Sequence, residues 1–223
     1  FNKLMVPFLI LFLIFMALAS NLKWIKDNYK NIKYFKIILF FVCILISFYI
    51  VRKTSSEVLF TSVLGAAALY LLFVNIKEFL NKNNNTSQTI SHFGFGLFVL
   101  SILFNSLFSD EFSANMKLGQ ELVYKKEQIK FSKIKSIDKE NYKSIIANFE
   151  IKDEKKNITS LYPEIRIYNQ PNILTSEADI KTTIFLDKFI VINLIKGEEI
   201  FNVRYQTKPF MIWIWISVCL ISI

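Results

Sequence analysis

The sequence predicts a membrane α-helical protein: four spans plus the start of a fifth, with an inserted mainly-β outer domain of about 100 residues. Three observations predict it. Apolar residues make up 53% of the 223-residue chain, and they cluster. A bilayer demands such clustering, because its roughly 30 Å hydrocarbon core takes about 17–25 mostly apolar residues to cross. Four apolar runs fall before residue 109 and hold almost no charge. Between them and a last run, the pattern changes to short alternating stretches broken by turn residues, as half-buried strands do.

The spans come first. Leu4 to Ala19 is interrupted only by Pro7, and Ile37 to Val51 is closed by Arg52 and Lys53. Val58 to Val74 carries Gly65-Ala66-Ala67-Ala68 at its centre, a smooth face for helix packing. Ile90 to Phe108 contains His92, and Phe210 opens the last run. The expected organisation is therefore 1–109 as four transmembrane helices, 110–209 as the β domain and 210–223 as the start of a C-terminal span. The shorter runs reach across if flanking lysines snorkel. Cys43 and Cys219 both lie inside apolar runs, so no disulfide framework is expected. The chain starts at Phe1 and stops at Ile223 within an apolar run, so a segment of a longer protein is expected. Heavy use of Lys, Asn, Ile and Phe points to an AT-rich, organellar genome.

The net charge of +9 is unevenly placed. Residues 1–109 carry ten Lys/Arg against three Asp/Glu, a net +7. Residues 110–209 carry seventeen against fifteen, a net +2. A nucleic-acid partner would call for a basic stripe on the water-facing part, which is nearly balanced, so none is expected. The loop Asn21 to Lys36 holds Lys23, Lys26, Lys30, Lys33 and Lys36 against Asp27 alone, and Lys77 and Lys82 follow the third span. By the positive-inside rule this side is matrix or cytoplasm. The β domain then faces the intermembrane space or periplasm, with Arg52 and Lys53 standing against that orientation.

Strands are predicted over Ile129 to Ile134, Ser144 to Ile151, Glu164 to Tyr168, Ile184 to Leu194 and Ile200 to Tyr205, forming a small antiparallel sheet or barrel. Lys196-Gly197 and Asn169-Gln170-Pro171 are the turns between them, and Asn83-Asn84-Asn85-Thr86-Ser87 is a polar hinge between spans. Lys208-Pro209 is expected to start the last helix, with Trp213 and Trp215 as interfacial anchors.

His92 is the chain's sole histidine. An ionisable side chain inside a span costs a few kcal/mol by insertion scales, which makes a functional role the default hypothesis. Gly96 lies one turn on, along the same helical face. Imidazole beside a gap suits an axial ligand to haem; it equally suits helix packing around a small residue. In the domain, Glu164, Arg166 and Tyr168 alternate onto one strand face, a polar row able to pair internally or to hold a partner's carboxylate. No HExxH, Walker loop, GxSxG or Cys/His zinc spacing occurs, so soluble-enzyme classes have no support and no catalytic residue is assigned.

An ordered set of features carries a resemblance. Ser91-His92-Phe93-Gly94 leads in, followed by Gly119-Gln120 and Asn141-Tyr142. Tyr162-Pro163-Glu164-x-Arg166-x-Tyr168 and Thr175-Ser176-Glu177-Ala178 come next, then Leu186-Asp187 and Val203-Arg204. Lys208-Pro209 and Trp213-Ile214-Trp215 close it. In this order they resemble the C-terminal part of the CcmF/NrfE-type haem lyase family of system I cytochrome c maturation. The Lys-rich stretch from Lys125 to Lys143 departs from that pattern.

The resemblance implies that His92 is one axial ligand of a structural b-type haem, with Gly96 beside it and haem iron as the only metal. The other ligand would come from a partner segment. The family's WWD segment and outer histidines do not occur in this sequence, so the transfer chemistry would lie in an N-terminal CcmF-like half. A split mitochondrial form, as in plant mitochondria, fits both that and the composition. The implied function is that of a C-terminal subunit or fragment of a haem lyase that attaches haem to apocytochrome c. The alternative is a non-catalytic CcmF-derived structural subunit of a larger respiratory-chain assembly. Implied partners are the N-terminal half or other membrane subunits, apocytochrome c or its haem chaperone, and the lipid bilayer. The implied location is the mitochondrial inner membrane, with the bacterial plasma membrane as alternative.

Overall fold

The computed structural model describes residues 2–19, 34–54, 57–81, 86–154, 156–195 and 200–223. They fall into two compact units, Phe1–Phe108 with Pro209–Ile223, and Ser109–Lys208. Lys23, Lys26, Lys30, Lys33 and Lys82 lie outside the described residues, as do Asn83–Asn85 and the turn Lys196–Gly197.

The first unit holds α1 (Asn2–Ala19), α2 (Tyr34–Val51), α3 (Val58–Asn81), α4 (Thr86–Phe108) and α5 (Met211–Ile221). Val58–Leu80 and Thr86–Phe108 are each 23 residues long and apolar enough to cross a membrane. At 1.5 Å per residue each reaches about 34 Å. Leu4–Leu18, Lys36–Val51 and Met211–Ile221 are shorter apolar helices. Length and composition thus carry a crossing for two of the four spans expected.

Both long helices outrun the sequence reading. α3 continues past Val74 to Asn81, so Asn75, Lys77 and Glu78 are helical rather than part of a loop. α4 begins at Thr86, which places His92 well inside it. The reading stopped at polar residues, whereas a helix continues through them when their side chains bond its own carbonyls. Asn75 Nδ2 does so, donating to Leu71 O at 2.8 Å.

α3 packs against α1, α2 and α4, and α4 also packs against α5. The Gly65–Ala68 stretch makes this possible: Ala66, Ala67 and Ala68 are fully buried. A Cβ added to Gly65 would collide with Ser47 Oγ of α2 and stand 3.1 Å from Leu103 Cδ2 of α4.

The second unit holds ten strands: β1 (Asp110–Met116), β2 (Glu121–Tyr124), β3 (Glu127–Asp138), β4 (Tyr142–Lys152), β5 (Ile158–Leu161), β6 (Glu164–Tyr168), β7 (Leu174–Glu177), β8 (Asp179–Thr182), β9 (Leu186–Leu194) and β10 (Phe201–Pro209). They form two sheets, β1-β10-β9-β8 and β2-β3-β4-β6-β7 with β5 beside β4, rather than one sheet or a barrel. Phe131, Phe149, Ile165, Ile190, Ile192 and Tyr205 belong to a single apolar core. Phe131 and Phe149 pair across β3 and β4, their rings stacked at 4.6 Å.

Pro209 is the last residue of β10 and not the start of a helix. Phe210 separates the two elements at φ 60, a left-handed conformation that neither strand nor helix continues through. The Lys-rich stretch beyond Lys125 is the β3–β4 hairpin, whose outer half from Lys133 to Asp138 is exposed on β3.

Candidate functional site on the α3–α4 hairpin

α3 and α4 are joined by a short connection and run antiparallel. Gly65 of α3 lies against Leu103 of α4, and Gly96 of α4 lies against Ala68 and Leu72 of α3. One turn back along α4 is therefore one turn on along α3. His92, four residues before Gly96, sits level with Leu72–Ile76, where Asn75 is the polar residue. Thr89 and Glu78 lie one turn further toward the connection. Asn75 and Glu78 are three apart, as are Thr89 and His92, so each pair occupies one helical face. Asn75, Glu78 and Thr89 are all buried.

Two atoms in this seam lack hydrogen bonds. His92 Nδ1 and Asn75 Oδ1 are both buried without a partner. An unsatisfied buried polar atom costs about 1–3 kcal/mol.

Gly96 offers no open space here. A Cβ would stand 3.2 Å from Leu72 Cγ and 3.3 Å from Ala68 O, so α3 itself fills the gap. Gly94 does the same for α5, its Cβ position lying 2.8 Å from Leu220 Cβ. An apolar cavity of about 330 Å³ lies beside Asn75, Thr89, Phe93 and Leu220, and a groove of about 860 Å³ lies between α1, α3 and α4. His92 lines neither.

Among the described residues no cluster of His, Cys, Asp or Glu could hold a metal ion. A haem needs only an axial nitrogen from this chain. The donor fits that need: the ring is half-buried, and with Nδ1 in the buried polar seam the other ring nitrogen, Nε2, is the one that would serve. Any second histidine ligand must come from outside this sequence, which holds one histidine.

In the sandwich, Glu164, Arg166 and Tyr168 share a face of β6, with Ile165 buried on the other. Arg166 Nη2 donates to Glu164 Oε2 at 3.0 Å, and Nη1 lies 3.9 Å from Glu177 Oε1. Its guanidinium sits 5.3 Å over the Tyr142 ring. The hydrogen bond from Arg166 holds the Glu164 carboxyl below the usual carboxylate range. The row is thus an internal ion pair within its own sheet.

Sequence reasoning missed Asn75, Glu78 and Thr89. The signal was present in the three-residue spacings, but each fell outside the predicted spans.

An apolar helical bundle with two helices long enough to cross a membrane, and a β-sandwich inserted before its last helix, defines the class. Residues 107–209 match the family described as CcmF C-terminal beta-sandwich. The chain is 28% identical to the cytochrome c-type biogenesis protein CcmF of Escherichia coli (strain K12), over 96% of this chain and 34% of that protein. It is 24% identical to CcmF of Haemophilus influenzae, over 97% of this chain and 35% of that protein. It is 23% identical to the cytochrome c-type biogenesis protein ccl1 of Rhodobacter capsulatus, over 100% and 36% respectively. The solved structure of the cytochrome c haem lyase CcmF has the same fold over 100% of this chain and 38% of its own, with a TM-score of 0.78 at 14% identity. The sandwich matches the CcmF C-terminal family model, and the chain as a whole is similar to the C-terminal part of CcmF. It spans about a third of the length of these curated relatives.

Proposed function

We propose that this chain is the C-terminal subunit or fragment of a membrane haem lyase that attaches haem to apocytochrome c, and that His92 gives one axial ligand to a structural b-type haem. The observation that carries the reading is His92 itself: the sole histidine, half-buried on a helix able to cross a bilayer, with Nε2 as the nitrogen that would bind iron. A bound b-type haem would supply a one-electron couple that keeps incoming haem iron reduced. His92 would bind it, while Gly94 and Gly96 let α5 and α3 close on the same helix.

The fit of the β-sandwich is that of a scaffold on the intermembrane-space or periplasmic side, with Glu164, Arg166 and Tyr168 in a structural role. The chain would sit in the mitochondrial inner membrane, or in a bacterial plasma membrane, beside an N-terminal CcmF-like half. Apocytochrome c or its haem chaperone would be the partner of the assembled complex.

One observation favours a second reading, a structural CcmF-derived subunit of a respiratory-chain assembly with His92 unliganded: His92 lines neither cavity. One experiment separates them. The complex is purified and its reduced-minus-oxidised spectrum recorded before and after His92→Ala. The haem lyase reading expects a b-type signal that His92→Ala removes. An unchanged signal in the variant, or none in the native complex, sinks it.

A further inference from the structure

Asn75 holds the complement to what His92 lacks. Its side chain is 1% exposed, and its Nδ2 is committed to Leu71 O one turn back at 2.8 Å. That bond fixes which end of the amide is which, because a flip would set Oδ1 against the Leu71 carbonyl oxygen. Oδ1 is therefore an acceptor, buried and without a partner. His92 Nδ1 is likewise buried without a partner, on the facing helix. The contacts of Gly65 with Leu103 and of Gly96 with Ala68 and Leu72 bring the two residues to the same level.

We propose that Asn75 is the positioning residue for His92: its side-chain oxygen accepts the Nδ1–H of the imidazole. This bond selects one of the two neutral tautomers and leaves the Nε2 lone pair as the ligand atom. It also fixes the plane of the ring. A ligating histidine commonly donates its other ring N–H to a carboxylate, a carbonyl or water, and that outer partner tunes the metal. An amide oxygen suits an apolar span because it brings no charge.

The inference rests on the reading of His92 as a haem ligand, and its test keeps the two apart. In the purified complex, haem content, low-spin electron paramagnetic resonance and the midpoint potential of the b-type haem are measured for His92→Ala, Asn75→Ala and Asn75→Asp. Asn75→Ala is expected to weaken haem retention about 10–100-fold, the range for loss of an outer-shell partner, and to raise the midpoint potential of what remains. Asn75→Asp, a stronger acceptor, is expected to lower that potential. Opposite shifts cannot come from general loosening of the hairpin. If His92→Ala removes the haem while both Asn75 variants keep the native potential, or shift it in the same direction, Asn75 has no positioning role. If His92→Ala leaves the haem signal intact, the ligand reading fails and takes this inference with it.

Discussion

Glu127 ties the two sheets of the sandwich together with charge as well as apolar contact. Lys188 Nζ donates to its Oε1 at 2.6 Å, and Tyr205 Oη donates to its Oε2 at 2.5 Å. The Lys188 and Glu127 side chains are only 15% and 19% exposed. Breaking a buried pair by removing one member strands the other, which costs about 3–5 kcal/mol. Glu127→Ala is therefore expected to destabilise the sandwich by roughly 3 kcal/mol, the low end because some water still reaches the pair. Glu127→Gln, which retains an acceptor for Tyr205, is expected to cost less; thermal unfolding followed by circular dichroism ranks the two. Glu164 adds a pH dependence. Its folded pKa lies below its unfolded value of about 4.3. It therefore stabilises the fold above that value, and the contribution disappears as pH falls through the folded pKa. With the pair partly exposed, about 1 kcal/mol or less is at stake, and Glu164→Gln should flatten that part of the acid-side profile. The row of Glu164, Arg166 and Tyr168 was legible in the sequence because a strand repeats every two residues. The Glu127 cluster was not, because Lys188 and Tyr205 lie 61 and 78 residues away.

At the level of elements, α4 works as a two-sided spacer. Gly94 admits α5 and Gly96 admits α3, two residues apart on different faces. A Cβ at Gly94 would meet Leu220 Cβ at 2.8 Å and Ile221 N at 3.0 Å, so backbone as well as side chain would have to move. Gly94→Val is expected to cost about 1–3 kcal/mol through overpacking. Engineered cysteines on α4 and α5 that crosslink in the native chain should crosslink poorly in the variant. Undiminished crosslinking would mean that the helices already stand apart. Helices that were apolar throughout announced themselves in sequence, whereas their polar extensions did not, since an apolar-run criterion ends at Asn75 or begins after Thr89. Strands divided in the same way. β4, β6 and β9 alternate around Ile and Phe and were legible. β1, β2, β5, β7 and β8 are short or largely polar, and pairing with a partner strand defines them more than their own pattern does.

At the scale of the whole chain, the helical unit holds together the two points between which the sandwich is inserted. The C-terminal end of α4 and the start of α5 are pinned together within the bundle: Asn105 Nδ2 donates to Pro209 O at 2.7 Å, and the Phe104 and Phe210 rings lie 5.4 Å apart. Residues 104–105 and 209–210, which flank the inserted sandwich in sequence, are thus neighbours within the bundle. In the proposed orientation, the lysines between the first two apolar runs face the matrix or cytoplasm, as the positive-inside rule expects. With alternating spans, the proposed orientation would put the sandwich on the other side. This orientation is testable once Cys43 and Cys219 are replaced by Ser and single cysteines introduced. Lys139→Cys, at an exposed position between β3 and β4, should react with a membrane-impermeant maleimide added outside sealed vesicles of native orientation. Lys26→Cys should react only after permeabilisation. The reverse pattern would turn the sandwich toward the matrix or cytoplasm and overturn the proposed orientation. Labelling of both sites from outside would mean that α1 to α4 do not all cross, and the two long helices would then be the bundle's only candidates for spans among the described residues.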